Sequence, residues 1–189
     1  MKLAKIIIPC LLLNACLLGT SKNAKFYTMT AIPGPVVSED YNTSVGVNRI
    51  QLPKYMERSQ IVTQRNNSAQ VNISEFNRWV ETPSVLATRT LAADLSMLLP
   101  SAQIAQTHLK GGKFAQTVTL EIVQLNATLG EQVELAAWCT VKDHEGKVQS
   151  HQKFEYTVST GKTYDELAQA YSQLLADVSL DIAKVLITQ

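Results

Sequence analysis

The closing stretch of the chain constrains its fold more than any other part of the sequence. From Tyr164 onward, apolar residues recur every three or four positions, which is the spacing of one face of an α-helix. Thr163 precedes this stretch and Glu166 follows three residues later, as in a capping box that starts a helix. The sequence therefore predicts a long terminal helix whose apolar face must be buried, formed by Leu167, Ala168, Tyr171, Leu174, Leu175, Val178, Ile182 and Val185.

The segments before this helix have the two-residue period of β-strands. One strand is expected over residues 133–141 and its return over 154–158, joined by a turn at residues 143–146. Residues 114–127 predict a further long strand, in which the apolar parity changes after Ile122. Such a change indicates either a β-bulge or a strand that is buried on both faces.

The first half of the chain predicts shorter elements around one more helix. The order of strands, helix, strands and helix indicates the α/β class. We expect a small single domain in which a mixed or largely antiparallel sheet packs against two main helices. The early strands are expected at residues 26–30, 45–52, 60–64 and 69–73, with IAQT as a further candidate, and the first helix follows Thr82 and ends at Pro100.

The composition excludes several classes of protein. Hydrophobic residues make up 46% of the chain and charged residues 17%, which fits a globular domain rather than a disordered one. The formal net charge is +1 and no basic block occurs, so nucleic-acid binding has no electrostatic basis. The three cysteines are not spaced as metal ligands. We expect no metal and no cofactor.

The N-terminal segment has the order of a secretory signal peptide. Lys2 and Lys5 precede an apolar run from Ile6 to Gly19, which Pro9 and Asn14 interrupt. The run is too short for a membrane-spanning helix, which needs about 20 apolar residues. A buried core helix is the other possibility, although the charged start of the chain favours export.

The end of this segment, Leu13-Asn14-Ala15-Cys16, resembles the bacterial lipobox. The resemblance implies cleavage after Ala15, a diacylglyceryl group on the Cys16 thiol and an acyl chain such as palmitate on the new amino terminus. Leu17, where inner-membrane lipoproteins typically have aspartate, favours the outer membrane. The alternative is an incidental or buried Cys16. The expected boundaries are a signal peptide at 1–15, a lipidated N-terminus and tether at 16–24, and the α/β domain at 25–189.

Residues suited to catalysis are few. His144 lies between Asp143 and Glu145, but consecutive turn residues point in different directions and rarely converge on one atom. No nucleophile elbow, zinc-protease motif or phosphate-binding loop occurs in the sequence. His151 is expected at the surface and Cys139 in the core, since Cys139 falls on the apolar parity of its strand. We therefore expect no catalytic residues and no enzyme activity.

Three stretches together carry a family resemblance: FYTMTAIPGP, LPKYMERSQIVTQ and EFNRWVETP. In this order they resemble the ABC-type transport auxiliary lipoprotein family, in particular its branch similar to paraquat-inducible protein C. The resemblance implies a non-enzymatic lipoprotein on the periplasmic side of the outer membrane, assembled as a homo-oligomeric ring. It further implies an MCE-domain (mammalian cell entry) periplasmic protein and an integral inner-membrane protein as partners in lipid transport.

The motif residues have two possible roles. They could contact a partner or another subunit, because Tyr, Trp and Arg are enriched at interface hot spots. Alternatively, Pro53 ends a strand with Tyr55 packed beneath it, and Trp79 anchors the following helix in the core. A second function also stays open, in which the lipoprotein itself binds lipid as a carrier in an apolar cavity between helix and sheet. The candidate interface residues are Leu52, Pro53, Tyr55, Arg58, Arg78 and Trp79.

Overall fold

The computed structural model describes residues 23–65, 68–110 and 112–188, which form eight strands and two long helices. The elements follow one another as the period of the sequence predicts, with a 3-10 helix at Lys54–Met56 between the second and third strands. In chain order they are β1 (Lys25–Tyr27), β2 (Ser44–Val47), β3 (Gln60–Gln64), β4 (Val71–Trp79), α1 (Pro83–Leu98), β5 (Gln103–Gln106), β6 (Gln116–Thr128), β7 (Gln132–Asp143), β8 (Val148–Ser159) and α2 (Tyr164–Ile187).

The strands form two mixed sheets rather than the single sheet that the sequence predicted. One sheet has the order β5-β2-β6-β7-β8, with β2 parallel to both neighbours and the rest antiparallel. The other has the order β1-β4-β3, with β1 parallel to β4. The chain leaves the larger sheet at Pro53, just after Gln51 bridges to Glu121. The predicted class, an α/β domain with a mixed sheet and two main helices, is confirmed.

A β-bulge explains the change of parity in β6. Ile122 pairs with Ala137, and Gln124 pairs with Ala136, so Val123 has no partner of its own. Val123 is accordingly exposed, while Leu125 beyond it returns to the core and faces Leu135. Of the two interpretations of the sequence, the bulge is therefore the correct one.

Both helices pack on the apolar face of the larger sheet. Pro83 occupies the first turn of α1, where its missing N–H costs no hydrogen bond. The capping box of α2 is present: the Glu166 N–H donates to Thr163 Oγ1 over 3.2 Å, and the Thr163 N–H donates to Glu166 Oε2 over 2.9 Å. Leu167, Val178 and Ile182 are completely buried, which confirms the predicted apolar face of α2.

A segment without regular structure, residues 28–37, crosses the two helices; we call it the strap. Three of its backbone groups bond to helix side chains. The Thr30 N–H donates to Ser172 Oγ over 3.1 Å, the Ile32 N–H donates to Asp94 Oδ1 over 3.0 Å, and Thr90 Oγ1 donates to the Met29 carbonyl over 3.2 Å. The first strand thus ends at Tyr27, short of the predicted Thr30, because the following backbone bonds to helices instead of a strand.

Asp94 links the strap to both helices. Its side chain is 1% exposed, and its Oδ2 also accepts a hydrogen bond from Ser179 Oγ of α2 over 3.2 Å. Burial raises the pKa of this carboxyl group to about 6. The hydrogen bonds from Ile32 and Ser179 favour the charged form and lower the pKa, but the effect of burial is larger. The carboxyl group therefore holds three elements together at a site where its charge is poorly solvated.

The predicted signal peptide, with Ala15 and Cys16, lies outside the described residues. The same holds for most of the predicted tether. Among the helices of the described ranges, neither reaches the length and hydropathy that crossing a bilayer requires.

Candidate partner-binding surface and apolar pocket

Pro53 redirects the chain into one turn of 3-10 helix. Its carbonyl accepts from the Met56 N–H over 2.8 Å, and Met56 is 5% exposed. Leu52 is half-buried against the core. Tyr55 is 41% exposed, so the interpretation that packed it beneath Pro53 is wrong. A single helical turn offers only one inward position, and Met56 occupies it.

The second motif segment lies directly beside the first. Gln60 pairs with Arg78, and the Trp79 N–H donates to the Ser59 carbonyl over 2.6 Å. The structure therefore brings together two stretches that are separated in sequence by the β3–β4 hairpin.

Trp79 belongs to the core rather than to an interface. It is 3% exposed, and its ring meets the edge of Tyr171 at a centroid distance of 5.4 Å and an interplanar angle of 90°. Such an edge-to-face pair fixes the end of β4 against α2. Of the two roles considered for Trp79, its burial in the core matches the structural one.

Arg58 and Arg78 remain candidates for contact with a partner. Arg78 is half-buried, and its Nε donates to the Glu75 carbonyl over 3.2 Å. Arg58 is also half-buried, and its Nε is shielded from solvent without a hydrogen-bond partner among the described residues. A buried donor left unpaired is costly, so an acceptor supplied by a partner would stabilise this side chain.

An apolar pocket lies beneath the motif segments, where the sheets and both helices meet. Only about 20 Å³ of it is open to a water-sized sphere, which is room for roughly one water molecule. A lipid acyl chain does not fit the pocket in this conformation. Its walls are formed by Met29, Leu52, Met56, Trp79, Pro83, Ala87, Ile122, Leu125, Leu135, Tyr171, Leu174 and Leu175.

The residues considered for catalysis or metal binding have structural roles in a surface turn and in the core. Asp143 accepts hydrogen bonds from the N–H groups of Glu145 and Lys147, both over 2.9 Å, and so organises the turn. Cys139 is 2% exposed, and burial raises the pKa of its thiol to about 12, so it is a core residue as predicted. Across residues 23–188, the two gaps excepted, no three His, Cys, Asp or Glu side chains are grouped as metal ligands.

Two exposed apolar residues were missed by the reasoning from sequence. Phe26 of β1 is 62% exposed, and Val80, just after β4, is 51% exposed. Both follow or precede another apolar residue, so the alternation that marks an exposed side chain is absent from the sequence. Their exposure is seen only in the folded sheet, where both side chains lie on the face that the helices do not cover.

Comparisons with solved structures place this fold among known domains. The crystal structure of an uncharacterised protein matches with a TM-score of 0.72 at 20% sequence identity, covering 86% of this chain and 98% of that one. A protein of the DUF330 family from Xanthomonas campestris matches with a TM-score of 0.69 at 11% identity, covering 85% and 93%. At such identities the likeness concerns the fold alone. No curated protein matches the sequence.

The sequence itself carries the family assignment. The model of the ABC-type transport auxiliary lipoprotein component matches residues 27–183, from the end of β1 almost to the end of α2. The match includes both motif segments, the strap, all of α1 and most of α2. The chain therefore belongs to the ABC-type transport auxiliary lipoprotein component family.

Proposed function

We propose that this protein is an outer-membrane lipoprotein subunit of an MCE-type intermembrane lipid transport system. It acts as a non-enzymatic docking component that faces the periplasm and is anchored through lipidated Cys16. It assembles as a homo-oligomeric ring and contacts an MCE-domain periplasmic protein, which an integral inner-membrane protein accompanies. The single observation that carries the proposal is the family match over residues 27–183.

Two further features support it. The N-terminal sequence places a lipobox-like Cys16 only a few residues before β1, as a lipid-anchored domain requires. Several acyl chains on one residue make a stable anchor, whereas a single chain binds membranes only marginally. Tyr55 and Arg58, three residues apart in the chain, support the proposed partner contact. Tyr55 has an exposed aromatic ring, and the shielded Nε of Arg58 has no hydrogen-bond partner among the described residues.

The anchor is tested by Cys16→Ala, with Cys10→Ala as the matched control, since Cys10 lies in the signal segment but follows a proline. We expect the Cys16 variant to lose the lipid mass and to leave the membrane fraction, while the control keeps both. Growth of a deletion strain under envelope stress should be restored by the control and not by the Cys16 variant. Full restoration by the Cys16 variant would show that anchoring is not the mechanism.

The partner is tested by co-purification from solubilised envelopes. We expect an MCE-domain protein to be retained by the wild-type protein, and Tyr55→Ala and Arg58→Gln to reduce its recovery. Lys54→Gln, an exposed charge change in the same helical turn, is the matched control. Native mass spectrometry of the purified protein measures the number of subunits, and a strictly monomeric species would exclude the ring.

The alternative function, a lipoprotein that carries lipid itself, is favoured by one observation. The pocket beneath the motifs has an apolar lining, and two of its residues, Met29 and Met56, have flexible side chains that can re-pack. Its small volume opposes that function, because an acyl chain would have to separate the helices from the sheet. Native mass spectrometry under gentle conditions decides between the docking component and the lipid carrier. A stoichiometric lipid that stays bound to protein from which the lipid anchor has been removed supports the carrier.

A further inference from the structure

The open face of the three-stranded sheet carries exposed apolar side chains next to a cation. Phe26 pairs with Arg78 in the parallel register of β1 and β4, so the two side chains lie on the same face. The Val80 N–H donates to the Tyr27 carbonyl over 2.9 Å, which continues this ladder and puts Val80 on that face too. We call Phe26, Arg78 and Val80 the β1–β4 face. The intervening Trp79 points the other way and is buried.

The charge on this face is not neutralised within the described chain. Arg78 forms no ion pair among residues 23–188 outside the gaps; its Nε bonds to a backbone carbonyl instead. Arg58, whose Nε has no partner there, precedes Ser59, which bonds to Trp79. Apolar side chains beside uncompensated cations are typical of surfaces that bind anionic phospholipid headgroups.

The same face lies next to the point where the tether enters the domain. From Cys16 to Asn23 the chain spans at most about 25 Å when fully extended. A domain of this size is roughly 40 Å across, so the tether is shorter than the domain is wide. A lipidated Cys16 therefore keeps the start of β1 on the side of the domain nearest the bilayer.

We propose that the β1–β4 face is a second membrane contact, seated on the phospholipid surface to which Cys16 is anchored. Phe26 and Val80 enter the boundary between headgroups and acyl chains, and Arg78 binds the lipid phosphates. This inference rests on the proposed lipid anchor. It adds that the domain has a fixed orientation on the membrane rather than hanging freely from its tether.

The test uses the lipidated protein in vesicles of phosphatidylethanolamine and phosphatidylglycerol. A spin label is attached at Phe26→Cys or at Val80→Cys, with Val148→Cys as the control. Val148 is also about half exposed, at 50%, but it begins β8 in the other sheet. Cys139 does not compete for the label, because it is buried and its thiol pKa is raised to about 12. The readout is collision with a water-soluble relaxant against collision with oxygen, which partitions into lipid.

We expect vesicles to lower collision with the water-soluble relaxant about fivefold at positions 26 and 80, and to leave position 148 unchanged, since apolar contacts of this kind enter about 5–10 Å into the interface. Labels that stay aqueous at both positions overturn the proposal. Protection without vesicles would instead assign this face to a second copy of the chain, and protection that needs added partner protein would assign it to that partner.

Two controls separate this inference from the function on which it rests. The intact mass of each preparation reports whether Cys16 is lipidated, so a failed anchor and a freely hanging domain give different results. Hydrogen–deuterium exchange of the unsubstituted protein avoids any effect of the cysteines on folding. Vesicles should slow exchange about tenfold at residues 25–28 and not at 148–152, since a membrane contact would cover β1, an edge strand. Equal exchange with and without vesicles would refute the contact.

Discussion

Replacement of Asp94 by asparagine should stabilise the protein at neutral pH and remove part of its pH dependence. Asp94 is buried between the strap and the two helices, where its charge is poorly solvated. Ser179 Oγ has one hydrogen but approaches two acceptors, the Leu175 carbonyl at 2.7 Å and Asp94 Oδ2 at 3.2 Å. An asparagine amide can donate to Ser179 Oγ and still accept from the Ile32 N–H. Asp94→Asn therefore completes the hydrogen bonds without a buried charge.

The magnitude follows from the pKa. Burial raises the pKa of Asp94 from 3.8 to about 6. The folded state therefore binds the proton more tightly than the unfolded state, so protonation stabilises the fold. Stability contributed by this group is complete below about pH 4 and is lost as the pH rises through 6. A difference of about two pH units corresponds to about 3 kcal/mol, so we expect Asp94→Asn to gain about 2 kcal/mol at pH 7.5.

Urea unfolding at pH 4.5, 6 and 7.5, followed by tryptophan fluorescence, measures this gain. The variant should exceed the wild type by about 2 kcal/mol at pH 7.5, or about 4–8 °C in melting temperature, with the difference shrinking toward pH 4.5. Asp40→Asn, the same charge change at an exposed site, should alter stability by less than about 0.5 kcal/mol. A variant that is less stable than the wild type at pH 7.5 would refute the reasoning.

Three further predictions concern the helical layer and the two sheets. Thr163→Ala should cost about 1 kcal/mol in urea unfolding by removing the cap of α2, while Glu166→Gln, which keeps the side chain's acceptor, should cost less. Trp79→Ala should cost about 3–5 kcal/mol and Trp138→Ala much less, since Trp138 is 36% exposed; similar losses for the two in thermal unfolding would contradict the burial argument. Cys139 should resist iodoacetamide at pH 8 in the folded protein and react in urea, as mass spectrometry would show, because its thiol pKa is raised to about 12.

The helices and long strands could be predicted because the spacing of their apolar residues follows the face that each element buries. The capped α2 helix followed from the spacing of its apolar residues. The change of parity in β6 was also visible in the sequence, but it left two interpretations, and only the register with β7 identifies the bulge at Val123. Two separate sheets could not be predicted in this way. They depend on the pairing of β1 with β4, which are about fifty residues apart in the chain, and no local pattern encodes such a register.

The candidate site was only partly predictable for a similar reason. Residues 53–59 have no regular period, so the sequence could not tell that Met56 turns inward and Tyr55 outward. Asp94 did leave a signal, because it lies beside Leu91 and Leu95 on the apolar stripe of α1. An acidic residue in such a position indicates a buried hydrogen-bonding role, but its partners come from the strap and from α2, which only the folded chain brings near.

The route of the chain from β1 into the strap also gives the domain a mechanical order. A pull on the N-terminus reaches the fold first through the three residue pairs that join β1 to β4. Once these separate, the load passes to the hydrogen bonds of Thr30 and Ile32 with the helices. Tension at the amino terminus therefore loads the contacts of the strap with α1 and α2 before it reaches β2, which follows the strap in the chain and pairs with β6 of the larger sheet.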